Sequence, residues 1–304
     1  MKTTEPARVP LRRRRACRYS VRMSRMKSLK SAVKTRARSL RRAIFGRFFA
    51  FDAQALQARL AQLGLARGDV VLVHSSFDAF EGFQGKPNDV IQALQAAVGA
   101  EGLLLMPTMG FTGSAIDFAR SGQVFDARRS PSRMGLVSEL FRRTAGVVRS
   151  VHPTHAVACW GQGAAEAAQG HHLSTTPCGR GSPFEALLRR DGKILLLGTD
   201  ISVLTFYHYL EELFEARFPE SPFTEEVFTL VSKNMQAELL ETRTRLYAPA
   251  LSKRRNLHKL VPHLKRLGAW REGRIGRLRI AVLQASGVEK AVGEMIQQGV
   301  YCYD

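Results

Sequence analysis

Three residues at regular spacing, Thr205, His208 and Glu211, carry side chains suited to acid–base chemistry. On an α-helix, steps of three residues rotate by about 300°, so Thr205 and Glu211 would flank His208 by about 60° on either side. A carboxylate one turn from an imidazole can fix its tautomer and raise its basicity, which a general base for an incoming amine requires. The same spacing also fits a capped surface helix with an incidental ion pair.

Two other segments place polar side chains next to predicted strands. Ser75 and Ser76 follow the apolar run 70–73, and hydroxyl groups beyond the carboxyl end of a strand can donate to a phosphate or a carbonyl. A plain turn is the alternative there. Segment 149–155 holds two histidines three apart, but Pro153 lies between them and no acid or cysteine completes a ligand set nearby. We therefore expect no metal site, and a structural or ligand-binding loop instead.

The elements that must position these residues alternate along the chain. Helical patterns at 52–66 and 87–98 alternate with apolar strands at 70–73 and 102–107, and a further strand is predicted at 193–198. This order predicts an α/β fold, in which a single layered domain has a largely parallel central sheet and flanking helices.

Later segments are assigned in the same way. Residues 108–133 are rich in glycine and serine and are predicted to form a long loop, which at this length is typically functional. Helices are predicted at 183–190 and 205–218, with strands within 223–247.

The positive charge of the chain is unevenly distributed. Of the net charge of +20, residues 1–47 contribute +16, because they contain 17 Lys or Arg and one acid, Glu5. The high pI therefore describes the N-terminus, and we expect no nucleic-acid partner for the remainder. Residues 1–27 are predicted to be a basic, disordered tail, and residues 49–304 to be the folded domain that carries the polar motifs described above.

Residues 28–48 predict an amphipathic helix, because an apolar stripe from Leu29 to Phe48 is surrounded by basic side chains. This helix either packs on the domain or lies on an anionic membrane surface. No apolar run approaches the length of a membrane-spanning helix, and no apolar segment of a secretory signal follows the basic N-terminus. Four cysteines without metal-site spacing fit a reducing compartment. We expect a cytoplasmic protein, with peripheral attachment to the inner face of the membrane left open.

Seven segments, in order and at similar spacing, resemble the aminoglycoside 3-N-acetyltransferase family. They are residues 73–76, 102–108, 132–135, 148–153, 181–183, 193–198 and 205–211. The resemblance covers about residues 51–230. It implies an α/β fold, acetyl-CoA as the donor, and His208 as the catalytic histidine with Thr205 and Glu211 in the same motif.

The resemblance also implies that Ser75, Ser76, Arg149 and Ser150 line the CoA cleft. In the implied reaction His208 accepts the proton of the substrate ammonium, and a carboxylate stabilises the imidazolium formed. A backbone N–H or a threonine hydroxyl would stabilise the oxyanion. No metal or covalent intermediate is needed.

The sequence leaves open which class of amine accepts the acetyl group. Six glutamates within 211–226 fit a polycationic aminoglycoside. Ten Lys or Arg within 253–279, opposed only by Glu272, fit either a solvated basic face or a phosphate-bearing partner such as a nucleotide sugar. With the helix at 28–48, this stretch favours an amino sugar of cell-surface polysaccharide biosynthesis, and the alternative is an aminoglycoside and antibiotic resistance. A second alternative, a non-catalytic membrane- or RNA-binding protein, conflicts with the intact acid–base motif.

Overall fold

The computed structural model describes residues 48–304, and these contain ten strands. In chain order they are β1 (Val70–Ser75), β2 (Leu103–Pro107), β3 (Phe125–Asp126), β4 (Val148–Arg149), β5 (Val157–Gly161), β6 (Lys193–Leu197), β7 (Phe223–Lys233), β8 (Leu239–Tyr247), β9 (Trp270–Ile275) and β10 (Leu278–Gln284). Seven of them form a central sheet in the order β4-β5-β2-β1-β6-β10-β9, and β3, β7 and β8 form a second sheet.

Within the large sheet, parallel pairing is confined to the centre, where β1 lies between β2 and β6. β5 pairs antiparallel with β2 on one side, and β10 pairs antiparallel with β6 on the other. The predicted α/β domain with a central sheet is therefore confirmed, and the sheet is mixed, with antiparallel strands towards both edges. The short β9–β10 connection forces antiparallel pairing, because a parallel pair requires a long crossover.

Helices cover both faces of the central sheet. They are α1 (Ala53–Gln62), α2 (Pro87–Val98), α3 (Ala115–Arg120), α4 (Leu136–Phe141), α5 (Ala164–Ala168), α6 (Pro183–Arg189), α7 (Tyr207–Leu213), α8 (Pro249–Arg254), α9 (Leu260–Arg266) and α10 (Ala285–Gln297). Along β1, Val70 and Leu72 enter one apolar core, whereas Val71 and Val73 enter the other. Burial on both faces explains why this strand is a continuous apolar run.

The predicted loop 108–133 is only partly irregular. It contains α3, whose first turn is capped by the Ser114 hydroxyl, and β3, which pairs with β7 of the second sheet. The predicted helix 205–218 is also shorter than expected, since α7 ends at Leu213 and a 3₁₀ turn follows at Glu215–Arg217.

Residues 1–47 lie outside the described residues. The predictions of a tail at 1–27 and of a membrane-binding or domain-packing helix at 28–48 therefore remain predictions. Phe49–Asp304 form a compact unit by internal contacts. Within the part of the chain that the structure describes, no helix is both long and apolar enough to cross a membrane.

Candidate active site

The predicted acid–base residues lie at the edge of the sheet where the parallel strands end. α7 follows β6 after a short 3₁₀ turn at Ile201–Val203, and so carries His208 and Glu211 beyond the carboxyl end of that strand. His155 lies just before β5, which pairs antiparallel with β2, so it approaches from the same edge. The His155 and His208 rings are 5.9 Å apart between centroids.

His208 and Glu211 form the pair that their spacing predicted. The Nδ1 atom of His208 lies 2.6 Å from Oε2 of Glu211, so Nδ1–H donates to the carboxylate and Nε2 carries the lone pair. Nε2 has no hydrogen-bond partner among residues 48–304, and 17% of the His208 side chain is exposed. The imidazole is thus anchored on one side and can accept a proton on the other.

Two residues that the sequence did not indicate complete the environment of Glu211. Arg255 donates to Oε1 through Nε at 3.1 Å and through Nη2 at 2.9 Å, and the Tyr303 hydroxyl donates to the same oxygen. The Glu211 side chain is fully buried. Burial alone would raise the pKa of this carboxyl, but the charges and hydrogen bonds of His208, Arg255 and Tyr303 lower it. Glu211 therefore stays ionised.

Burial and the positive charge of Arg255 together lower the pKa of His208, although Glu211 acts in the opposite direction. The histidine is consequently neutral at pH 7, which is the state a general base needs. Aromatic side chains enclose it: the Tyr247 ring stacks on the imidazole with centroids 4.1 Å apart, and His155 approaches Tyr247 edge-on at 5.3 Å.

Thr205 lies just before α7, and its carbonyl accepts a hydrogen bond from the backbone N–H of His208 at 3.0 Å. Its hydroxyl is 3.4 Å from the carbonyl oxygen of Val203, a long contact that leaves the donor available to a better acceptor. The role of Thr205 as an oxyanion donor remains a prediction.

Ser75 and Ser76 lie at the end of β1, at the same edge of the sheet, and both are half-buried. The backbone N–H of Ser76 donates to the carbonyl of Leu197 at 2.9 Å. Neither hydroxyl bonds another residue of the described range, so both are available to a ligand. Their contact with CoA also remains a prediction.

Arg149 makes contacts that differ from those that the resemblance implied. Its side chain is buried, and its guanidinium donates to the carbonyls of Thr108, Ala127 (3.2 Å) and Ser130 (2.6 Å) and to the Thr108 hydroxyl (3.0 Å). Burial lowers its pKa to about 9, which still leaves it charged at pH 7. These contacts tie the 108–133 segment to β4. We therefore assign Arg149 to structure rather than to cofactor contact.

Ser150 is also committed to contacts within the chain. It is buried, donates to Nδ1 of His171 at 2.8 Å and accepts the backbone N–H of Val157 at 2.9 Å, while Nε2 of His171 donates to the Pro177 carbonyl at 3.0 Å. His171 in turn stacks on His152 with centroids 4.8 Å apart. Arg149, Ser150, His152 and His171 are called the Arg149 cluster below. Segment 149–155 was predicted to be either a structural loop or a ligand-binding loop, and these contacts favour the structural loop.

Both charged stretches of the sequence are largely neutralised by ion pairs within the chain. Among the six glutamates of 211–226, Glu215 forms a bidentate pair with Arg245, and three others also pair. These three pairs are Glu211–Arg255, Glu220–Arg254 and Glu226–Arg120. Six of the ten basic residues of 253–279 are likewise paired, namely Arg254, Arg255, Lys259, Lys265, Arg266 and Arg277. Most of this stretch is a salt-bridged surface.

Other chemistries find little support within residues 48–304. No group of three or more His, Cys, Asp or Glu is arranged there to hold a metal ion. Burial raises the pKa of the Cys159 and Cys178 thiols well above the ordinary value, which keeps them protonated and poorly nucleophilic.

Comparison with known proteins agrees with the segments quoted above. The profile of a family described as Aminoglycoside 3-N-acetyltransferase matches residues 72–297. Aminoglycoside N(3)-acetyltransferase VII of Streptomyces paromomycinus is 34% identical over 182 residues, covering 54% of this chain and 63% of that protein. Aminoglycoside N(3)-acetyltransferase IV of a Salmonella species is 35% identical over 158 residues, covering 51% and 57%. The chain thus matches less than two thirds of the length of these relatives.

Solved structures show the same fold. AAC(3)-Xa matches with a TM-score of 0.74 and 25% identity, covering 85% of this chain and 98% of that one. A mutant of AAC(3)-IVa in complex with a gentamicin matches with a TM-score of 0.68 and 25% identity, over 83% and 90%. AAC-IIIb with bound CoASH matches in fold, with a TM-score of 0.68 and 22% identity over 84% and 99%. Since the family profile covers well over half of it, the chain belongs to the aminoglycoside 3-N-acetyltransferase family.

Proposed function

We propose that this protein transfers the acetyl group of acetyl-CoA to an amino group of an aminoglycoside, with His208 as the general base. One observation carries the proposal: a neutral imidazole is anchored through Nδ1 to a buried, ionised carboxylate and keeps Nε2 free. A histidine that served only packing would not need this arrangement.

The geometry supports a direct proton transfer. His208 accepts the proton of the substrate ammonium at Nε2, and the resulting imidazolium is stabilised by Glu211. The amine nitrogen then bonds to the thioester carbonyl carbon while the carbon–sulfur bond breaks. The attached nitrogen still carries one proton more than an amide holds, and it passes that proton to the departing thiolate to give CoASH. His208 releases the proton that it holds to solvent, so the enzyme returns to its starting state. Thr205 is placed one turn before His208, from which its hydroxyl can stabilise the negative charge on the carbonyl oxygen.

Acetyl-CoA supplies the activated acyl group in this reaction. The free hydroxyls of Ser75 and Ser76 at the end of β1 are donors suited to its polar groups, since ligands bind beyond the carboxyl ends of strands in such sheets. Similarity in fold to AAC-IIIb, which is described with CoASH bound, is consistent with this donor.

The acceptor class rests on the relatives and on the charge distribution. The related proteins are named as aminoglycoside acetyltransferases, and one is described in complex with a gentamicin. Of the two features that favoured an amino sugar of polysaccharide biosynthesis, the helix at 28–48 stays a prediction, and most of the basic stretch 253–279 is ion-paired within the chain. We therefore prefer the aminoglycoside, and keep the nucleotide-linked amino sugar as the competing acceptor.

The acidic stretch 211–226 is not by itself the explanation of aminoglycoside binding. Most of its carboxylates pair within the chain, and Glu212 is bound by the Thr176 hydroxyl and by the Arg180 backbone N–H. Burial raises the pKa of Glu212. The ammonium groups of an aminoglycoside would therefore have to bind mainly to other carboxylate or carbonyl oxygens of the site.

Release of free CoA thiol tests the proposal directly. The full chain is assayed with acetyl-CoA against gentamicin, sisomicin and a set of amino-sugar nucleotides, with His208→Ala as the control variant. We expect thiol release with aminoglycosides that is lost in the variant. Release only with amino-sugar nucleotides would replace the acceptor. An absence of turnover and of any thermal shift with CoA would favour the non-catalytic binding protein.

A further inference from the structure

The second sheet contributes one side chain to the candidate active site. Tyr247 is the last residue of β8, and its ring lies against the His208 imidazole at 4.1 Å between centroids, with the planes inclined by only 27°. The tyrosine is 8% exposed. His208 and Glu211 belong to a helix that follows the central sheet. The second sheet therefore contacts helix α7 through this stacked pair of rings.

The orientation of Tyr247 is itself fixed by its neighbours. Phe223 pairs with Tyr247 across the β7–β8 ladder and packs against its ring at 5.4 Å. His155 contacts the ring edge-on at 5.3 Å, with planes at 73°. The ring therefore presents a rigid face to His208.

A rigid aromatic face has two consequences for an adjacent imidazole. It blocks rotation of the ring out of the plane in which Nδ1 meets Glu211, and so keeps Nε2 turned away from that carboxylate. It also attracts a cation, because the face of an aromatic ring is electron-rich. The imidazolium that forms during proton transfer gains from this contact more than the neutral imidazole does.

We propose that Tyr247 is a positioning residue for acetyl transfer, whose ring face holds the plane of His208 and stabilises its protonated form during turnover. This inference rests on the proposed function, because it assumes that His208 changes charge in the reaction. It extends the site to an element outside the acid–base motif of α7.

Four groups face His208, and they act on its charge in opposite directions. Glu211 from α7 and the ring face of Tyr247 from β8 favour the imidazolium, whereas Arg255 opposes it. His155 presents a neutral ring edge, because burial holds its pKa well below the ordinary value. Burial is the largest cause of the lowered His208 pKa, and leucine in place of Tyr247 is expected to keep the imidazole covered. Loss of the ring face should then lower the pKa of His208 further, and removing the Arg255 charge should raise it.

The test compares Tyr247→Leu with Tyr247→Phe, which keeps the ring, and with Phe228→Leu, which removes a buried ring of the same sheet that stacks on neither Tyr247 nor His208. We expect Tyr247→Leu to lower kcat by about 3- to 30-fold with KM within about twofold, and the acid limb of the pH profile to move down by about 0.5–1 pH unit. Tyr247→Phe and Phe228→Leu should keep kcat within about threefold of the wild type.

A second measurement does not depend on turnover. Titration of the His208 ring by NMR in the free, full-length protein should show a lower pKa in Tyr247→Leu than in Tyr247→Phe, and a higher one in Arg255→Gln. If Tyr247→Leu fails to fold, Tyr247→Met provides the same comparison with a longer side chain.

An unchanged pKa and kcat in Tyr247→Leu would overturn the inference, as would an equal loss in Phe228→Leu. The two proposals fail separately. A wild type that acetylates no acceptor contradicts the proposed function alone, and the titration then still decides whether the ring face of Tyr247 acts on His208.

Discussion

The Arg149 cluster and the surroundings of His208 are two buried polar regions that contain histidine, and they differ in which groups accept their hydrogen bonds. In the Arg149 cluster the donors mostly reach backbone carbonyls, such as those of Ser130 and Pro177. Around His208 they reach another side chain, Glu211, and one imidazole nitrogen is left without a partner in the described chain. Bonds to the backbone fix a loop, whereas a network of charged side chains can hold a proton acceptor at a chosen basicity.

The sharpest test of this difference is His208→Ala. We expect kcat to fall by about 10²–10⁴-fold, because the general base is lost, while the melting temperature stays near that of the wild type. Exposed His258 offers the matched control, and His258→Ala should keep full activity. Turnover of His208→Ala within threefold of the wild type would contradict the assignment.

Arg149→Met is expected to lower stability and to leave the binding of acetyl-CoA unchanged. Removing the guanidinium leaves buried carbonyls of Thr108, Ala127 and Ser130 without donors, at about 1–3 kcal/mol each. The free energy of unfolding should fall by about 3–5 kcal/mol, measured by urea denaturation, with KM for acetyl-CoA unchanged in the folded protein. Arg129→Met, at an exposed arginine, is the control. A normal stability with a raised KM would restore the cofactor-binding role that the sequence implied.

Acid should destabilise the Arg149 cluster through His171. Burial lowers the pKa of His171 to about 4, so in the folded state it stays neutral as the pH falls, while the unfolded chain takes up a proton below about 6.5. The stabilising contribution is complete above pH 6.5 and is lost progressively towards pH 4. We expect the wild type to lose about 2 kcal/mol more unfolding free energy between pH 7 and pH 5 than His171→Gln does. The control variant His258→Gln should lose as much unfolding free energy as the wild type. An equal loss in the wild type and in His171→Gln would mean that other groups cause the acid sensitivity.

A smaller effect is expected of Arg255→Gln. Because Arg255 lowers the pKa of His208, removing its charge should raise that pKa. The neutral, proton-accepting form would then be lost at higher pH, so the acid limb of kcat/KM should move up by about one pH unit. Activity at pH 8 should change less than activity at pH 6, which separates this electrostatic effect from a loss of structure. A uniform fall at both pH values would contradict it.

Local patterns predicted much of the fold. The helix at 87–98 agrees with the observed Pro87–Val98, because proline at its first position and Gly99 after its end are local signals. The His208–Glu211 pair was also predictable, since both residues lie on one helix three positions apart.

Long-range contacts were not predictable in this way. Arg255 and Tyr303 lie 44 and 92 residues from Glu211, and only tertiary packing brings them together. The structural contacts of Arg149 could not be foreseen, because a buried structural arginine and a phosphate-binding one look alike in a sequence. β9 was missed because its side chains include Arg271 and Arg274, charges that suit the edge of a sheet.

The hydrogen bond from Tyr303 to Glu211 has a consequence for the order in which the protein is made. During synthesis α7 is complete long before residue 303 leaves the ribosome, so Glu211 first exists without two of its donors. An ionised carboxylate with missing partners resists burial, and the site therefore closes only after the last helix α10 has been added. A prematurely terminated chain can contain every residue of the acid–base motif and still lack a finished catalytic base.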